Sequence, residues 1–422
     1  MRSAWFVFCL FTLNLGIWSA PQPNSQHAQD AIKSALRNVV GKPEDVDLTA
    51  SDRLRVVRLG LAGKQISDLS PLVELPNLKQ LWLHNNRLRD LEAVSKMTNL
   101  ESLYLDHNQI TDLSPLAKCI KLRTLYLDNN RPKDVKALDN CRSLETLSLW
   151  HSQLQSVQGM EGLIQMKRLV LYANRLTDIA PLANMRRMRY LDLTQNQIVD
   201  IGPLDGLTKL EILQLNQNKI TNVKALAGMR DLRVLSLQHN QITDLKPLVQ
   251  LTKLKELHLN NNQITDLRPL AGMKELRTLH LGGNQITDLT PLMGLNALRE
   301  LSIIGSTNLR FPDVAKLQKA LPRTVIQHNA TQTEIQFINK TKESIVVRWV
   351  DFGGQLQTYQ DNLLPEEGYS QHTYIGHQWV LYDKADKELG RTFATGKITA
   401  WEVYSKGIRA TKARELPAKN RE

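Results

Sequence analysis

Leucine and isoleucine positions recur with a period of 22 residues, and the pattern is cleanest from Leu254 to Glu275, LKELHLNNNQITDLRPLAGMKE. Leu254, Leu257, Leu259, Asn262, Ile264, Asp266, Leu267, Pro269 and Leu270 have counterparts one period up and down the chain. Apolar residues alternating with polar ones over the first six positions predict a short strand with one buried face. The rest is a return path, in which Asp supplies turn chemistry and the Pro three residues later fixes φ. A coil of this size has no core of its own, so its stability must come from stacking on its neighbours.

The phrase L-x-x-L-x-L-x-x-N at this period resembles the leucine-rich repeat, and the layout is similar to that of secreted bacterial proteins of the internalin type. Eleven full repeats run from Val56 to Ala297, and a twelfth strand, Leu298 to Ile303, opens a unit that leaves register. The repeats thus occupy 56–303. The resemblance implies an α/β solenoid, about 55 Å long at ~4.8 Å per strand, with a parallel β-sheet on its concave face. Before it, Ile32, Ala35, Leu36 and Val39 share one face of a helix over Ala28 to Val40, followed by Gly41 and Pro43, so 21–55 reads as an N-terminal helical cap. After it, a helix over Pro312 to Leu321 and a strand over Thr324 to Gln327 read as a C-terminal cap, 304–329. Buried Asn at positions such as Asn86, Asn130 and Asn262 is expected to satisfy backbone groups where the chain leaves each strand. Cys119 and Cys141 fall in an apolar column, where they read either as small core residues or as a disulfide between adjacent coils.

From Glu334 the period is lost. Short alternating runs around Ile335 to Ile338, Ser344 to Val350, Gln378 to Leu381, Arg391 to Ala394 and Ile398 to Val403, separated by turn signals, predict a small all-β sandwich over 330–405. Its core is expected to hold Phe337, Trp349, Phe352 and Trp401. The runs FINKT from Phe337, RWVDFGG from Arg348, Tyr359, and HTYIGHQW from His372 to Trp379 resemble the β domain of the von Hippel–Lindau family. That resemblance implies recognition of a peptide containing 4-hydroxyproline. Trp349, Tyr359, His377 and Trp379 match pocket residues of the family, and Thr373 stands where the family has a serine. Flat apolar walls suit a pyrrolidine ring, and a hydroxyl beside an imidazole suits its hydroxyl group; the alternative is that these aromatics are simply core. The family's helical domain, which recruits a ubiquitin ligase scaffold, has no counterpart in the residues after Val403, so no such scaffold is expected.

The residues flanking the second and third leucines of each repeat should line the exposed concave face. Trp82, Tyr104 and Tyr126 fall in one column, Trp150 and Tyr172 in the next, and Tyr190 nearby. Asp106, Asp128, His84, His107 and His151 edge this aromatic patch, which reads as a protein-binding surface or, alternatively, as structural stacking. Pro132 in the fourth repeat and Ser152, Ser156 and Gly159 in the fifth depart from the pattern, and both units are expected to be looser there.

Composition adds three points. The net charge of +12 is read as spread through the repeats and sharpest in a solvated basic tail, 406–422. An apolar run from Ala4 to Trp18 after Arg2 reads as a signal peptide, 1–20, with an uncleaved N-terminal anchor as the alternative, which makes the protein secreted, periplasmic or displayed at the cell surface. No nucleophile elbow, metal-binding Cys pair or phosphate loop occurs, so neither an enzyme nor a cofactor or metal site is expected. The expected protein is a monomer that binds a protein or peptide and no nucleic acid. A surface or adhesion protein binding carbohydrate or polyanion is the alternative.

Overall fold

The computed structural model describes residues 25–306, 309, 311–328, 332–350, 355–374, 377–394 and 399–412. The expected signal segment, Phe352 and the chain after Lys412 lie outside the described residues.

Helix α1 (Ser25–Val40) packs Ala28, Ile32, Leu36 and Val40 over the first coil. Helix α2 (Ala50–Arg55) starts at a capping box in which Thr49 and Asp52 exchange hydrogen bonds. Lys42 Nζ lies 2.5 Å from the Asp52 carboxylate and holds its pKa well below the usual carboxylate range. Thirteen parallel strands follow in chain order: β1 (Arg58–Gly60), β2 (Gln80–Trp82), β3 (Ser102–Tyr104), β4 (Thr124–Tyr126), β5 (Thr146–Ser148), β6 (Arg168–Val170), β7 (Tyr190–Asp192), β8 (Ile212–Gln214), β9 (Val234–Ser236), β10 (Glu256–His258), β11 (Thr278–His280), β12 (Glu300–Ser302) and β13 (Val325–Gln327). Up to β12 each residue pairs with the one 22 further on, as Leu81 with Leu103; Glu300 then pairs with Val325, and helix α3 (Phe311–Ala320) fills the difference.

The repeated columns act as expected. Asn262 donates through Nδ2 to the Leu237 and Leu259 carbonyls at 2.9 and 3.0 Å and accepts from the Ile242 N–H through Oδ1 at 3.0 Å. One side chain thus satisfies three backbone groups, two of them in the preceding coil. Asp266 accepts from the Arg268 N–H at 2.9 Å, and the short 3₁₀ turn Arg268–Leu270 carries Pro269 where no donor is needed. Cys119 and Cys141 are buried free thiols in contact with the Val94 and Leu116 carbonyls. Burial pushes their pKa values up to about 11 and 12.

The departures in the fourth and fifth repeats are linked. Elsewhere the Asn of one coil accepts from the N–H at the Ile position of the coil before, as Asn130 does from Ile110 at 3.0 Å. Pro132 has no N–H to give, and the residue that would have received it is Ser152 instead of Asn. The fourth coil keeps its 3₁₀ turn, Lys136–Asn140, whereas no helical turn is formed between β5 and β6, although Leu154, Val157, Met160 and Leu163 stay buried there. Gly159 there has φ +93°, and a Cβ on it would lie 2.6 Å from Lys136 Cα.

The second unit is a sandwich of two four-stranded sheets. One orders β17 (Gly368–Tyr374), β14 (Gln332–Asn339), β20 (Thr399–Tyr404) and β21 (Gly407–Lys412). The other orders β16 (Leu356–Leu363), β15 (Ile345–Val350), β18 (Gln378–Asp383) and β19 (Glu388–Phe393). Ile335, Phe337, Ile345, Val347, Leu363, Trp379, Leu381 and Val403 form the core between them. The five expected runs are strands, but the hydrophobic pattern missed β16 and β17, which are polar edge strands. It also placed the basic tail too early. Gly407, at φ +143°, turns the chain back so that Ile408 pairs with Val403 and packs on the core, and residues through Lys412 belong to the sheet. No helix among the described residues is long and apolar enough to cross a membrane.

Candidate functional site

Two sites emerge, one on each unit. On the solenoid, in-register pairing brings the aromatic columns into contact. Trp82 stacks on Tyr104 with centroids 5.5 Å apart and planes within 8°, and Tyr104 stacks on Tyr126 at 5.3 Å and 14°. One column over, Trp150 stacks on Tyr172 at 6.1 Å, and the His107 ring meets Trp150 edge-on at 6.4 Å. Tyr190 stands apart from this run, under the guanidinium of Arg168, which lies 3.7 Å from its ring centre. The expected six aromatics therefore form a triplet, a pair and a separate cation–π contact.

Asp106 and Asp128 sit at the seam between triplet and pair. Asp128 Oδ1 accepts from Ser148 Oγ at 2.5 Å and from the Trp150 N–H at 2.9 Å; Asp106 Oδ1 accepts from the Asp128 N–H at 3.1 Å. Both carboxylates thus tie adjacent coils together. Burial, with the Asp106 charge adding to it, raises the Asp128 pKa to about 7, and burial raises that of Asp106. A further string, His107 to Asn129 at 3.3 Å and His151 to Asn129 at 2.8 Å, fixes the histidines at the edge. Together Trp82, His84, Asn85, Tyr104, Asp106, His107, Tyr126, Asp128 and Trp150 line one shallow pocket. The period located these positions, but the bonds of Asp128 to Ser148 and Trp150 appear only once the coils are stacked.

In the sandwich, all five expected pocket residues come together. Pairing of β15 with β18 sets Trp349 opposite Trp379, and Tyr359 stands on the edge strand β16. Tyr359 is 46 % exposed, so the cluster reaches the surface. It meets Trp379 at 5.3 Å and Trp349 at 6.2 Å, both edge-on, while Trp349 stacks on His377 at 5.0 Å. Thr373 Oγ1 lies 3.0 Å from His377 Nδ1 and accepts from the Trp379 indole N–H at 3.3 Å. The Thr373 hydroxyl and His377 Nδ1 thus share a hydrogen bond whose direction follows the imidazole tautomer, beside the one that Trp379 donates. Burial, aided by the charge of His328, pushes the His377 pKa down to about 4, which agrees with a neutral ring.

Family comparisons fit both units. Leucine-rich repeat families match residues 53–96, 98–140, 186–242, 230–272 and 274–289, and the VHL beta domain matches 323–391. The chain joins leucine-rich repeats to a VHL β domain. Among solved structures, an internalin from Listeria monocytogenes is similar at 29 % identity and a TM-score of 0.69, over 74 % of this chain and 92 % of that one. A leucine-rich repeat protein of Leptospira interrogans shares the fold at 24 % identity and a TM-score of 0.50, over 62 % of this chain and 81 % of its own. The leucine-rich repeat ectodomain of a plant membrane receptor kinase from Arabidopsis thaliana, solved with Casparian strip integrity factor 2, is similar at 25 % identity and a TM-score of 0.54, over 62 % of this chain and 34 % of that one. No curated protein matches.

This leucine-rich repeat and VHL β-domain architecture is one of protein-binding modules. In the VHL β domain, Phe337 also contacts Trp379, with centroids 5.9 Å apart, so Trp379 belongs to the core as well as to the aromatic cluster. It is 1 % exposed, which makes it the residue of the cluster least separable from folding.

Proposed function

We propose that the protein is an exported, non-enzymatic recognition protein that takes two peptide or protein ligands. The concave aromatic face binds a protein partner, and the VHL β domain binds a peptide containing 4-hydroxyproline. The observation that carries the second part is the Thr373–His377 pair, 4 % and 6 % exposed, held between Trp349, Tyr359 and Trp379. A core has no use for a hydroxyl and an imidazole on one short segment, whereas a hydroxylated pyrrolidine needs an acceptor, a donor and apolar walls. The Thr373 hydroxyl can donate as well as accept, and a neutral imidazole carries one N–H and one acceptor nitrogen, so the pair has the chemistry a ligand hydroxyl needs. Plain proline would leave such groups without the hydroxyl, a penalty of about 1 to 3 kcal/mol. Thr in place of Ser adds a methyl group that restricts χ1 and holds the hydroxyl in place.

The plant receptor ectodomain bound to a protein factor supports the reading of the solenoid as a partner-binding surface, as do Trp82, Tyr104, Tyr126, Trp150 and Tyr172, each only part-buried. Export is supported by the likeness to an internalin and by the apolar run ending at Trp18. The test is titration of the full chain with matched peptides that differ only in the hydroxyl of one proline. Binding of the hydroxylated member, lost in Thr373→Val, supports the proposal; equal binding of both members overturns it.

A further inference from the structure

Charge is not spread evenly round the coils. The four residues ahead of each strand from β2 to β12, Pro76 to Lys79 and its counterparts down to Asn296 to Arg299, hold sixteen basic and five acidic side chains. Parallel stacking places these segments in one row, so nearly the whole excess of +12 lies along a single rim of the solenoid. The row nets +6 as far as Glu211 and +5 beyond it, but the last residue of each segment, next to the strand, forms a column with two distinct parts. In the first, facing charges cancel: Lys79 pairs with Glu101 at 2.9 Å, Lys167 with Glu145 at 2.6 Å and Arg189 with Glu211 at 2.5 Å. In the second, Arg233, Lys255, Arg277 and Arg299 follow one another in the same column, and none of them makes an ion pair with a described residue. Arg230 and Lys274 lie beside them, while Lys253 is engaged by Asp231.

Four like charges at a strand spacing of about 4.8 Å repel one another, and nothing in the fold requires them. Arg233, Arg277 and Arg299 are exposed, Lys255 half-buried, so their charges are open to a ligand. We propose that this ladder, Arg233–Lys255–Arg277–Arg299, binds a linear sulfated polysaccharide laid along the rim. Charge complementarity gives the sign. The spacing gives the form, because a sugar ring advances its chain by about one strand spacing, so successive sulfate or carboxylate groups meet successive coils. Nucleic acid fits less well: single strands are held by bases stacked on aromatic side chains, and this rim carries none in the four-residue segments.

The experiment measures binding of a defined heparin oligosaccharide to the full chain at several salt concentrations. Arg233→Gln, Lys255→Gln, Arg277→Gln and Arg299→Gln combined should weaken binding by about tenfold or more and flatten its salt dependence. The control combines Lys79→Gln, Arg123→Gln, Lys167→Gln and Arg189→Gln, which removes the same charge from the ion-paired part of the same column and should change binding by about twofold at most. Unchanged circular dichroism establishes that both variants are folded. Equal losses in the two variants would mean that only net charge matters and would overturn the proposal. So would a loss caused by replacing Arg414, Lys419 and Arg421 instead, or equal binding of a single-stranded oligonucleotide.

Discussion

Pro132 and Ser152 offer a direct test of how the coils hold one another. Restoring the consensus at one position alone is expected to do harm. Pro132→Ile introduces an N–H into a buried site whose usual acceptor, an Asn side-chain oxygen, is missing, at a cost of about 1 to 3 kcal/mol. Ser152→Asn brings an oxygen with no donor from the previous coil, although its Nδ2 has the Leu127 and Leu149 carbonyls within the register seen for other Asn residues. With both substitutions, the new backbone N–H at position 132 donates to the new side-chain oxygen at position 152, as Ile110 does to Asn130 at 3.0 Å. The double-mutant cycle should therefore show a favourable coupling of about 1 to 2 kcal/mol, obtained from urea midpoints of the four proteins. A cycle that is additive to within about 0.5 kcal/mol would refute the link and leave the two departures as unrelated drift.

Three further outcomes follow from the geometry. Trp82→Ala combined with Tyr126→Ala breaks both pairs of the stacked triplet and should abolish capture of the solenoid's partner while lowering stability by about 0.4 to 2 kcal/mol, since each cross-strand pair contributes about 0.2 to 1 kcal/mol; a larger fall with partner binding intact would make the stack structural. Asp128, with its pKa raised to about 7, is protonated in the folded protein where the unfolded chain is ionised. Its favourable contribution is complete below pH ~4 and is lost as pH rises to about 7, so Asp128→Asn should stabilise the repeats at pH 8 relative to wild type and have little effect at pH 4 in thermal melts. His377 has the opposite slope: its pKa, lowered to about 4, means that the unfolded domain takes up a proton first, so stability falls as pH drops from about 6.5 towards 4 and His377→Gln flattens that fall.

The solenoid was legible from sequence because one period sets every column: the same 22 residues that make a leucine buried make the residue beside it face outward. Asn262, Pro269 and Cys119 could each be placed by counting. What counting could not supply was contact between columns. The seam joins Asp128 to Ser148, 20 residues on in the neighbouring column, and to the backbone N–H of Trp150, 22 residues on in its own. The sandwich was less legible because its edge strands carry little hydrophobic signal. LQTYQDNL and GYSQHTY are not among the expected runs, yet the first presents Tyr359 and the second Thr373, and only pairing with β15 and β14 gives them a strand's geometry. The pocket residues were found through their resemblance to a known family, and the bond between Thr373 and His377 is what gives that resemblance a chemical meaning.

The central claim is that a hydroxyl on proline is read by the Thr373–His377 pair. It is tested most directly by calorimetric titration of the full chain with an array of matched peptides, each present with 4-hydroxyproline and with proline. The account predicts that the hydroxylated members bind about 5- to 150-fold more tightly, corresponding to about 1 to 3 kcal/mol, and that Thr373→Val removes the difference while leaving the aromatic walls in place. Equal affinity for the two members of every pair, or a preference that survives in Thr373→Val, would contradict it.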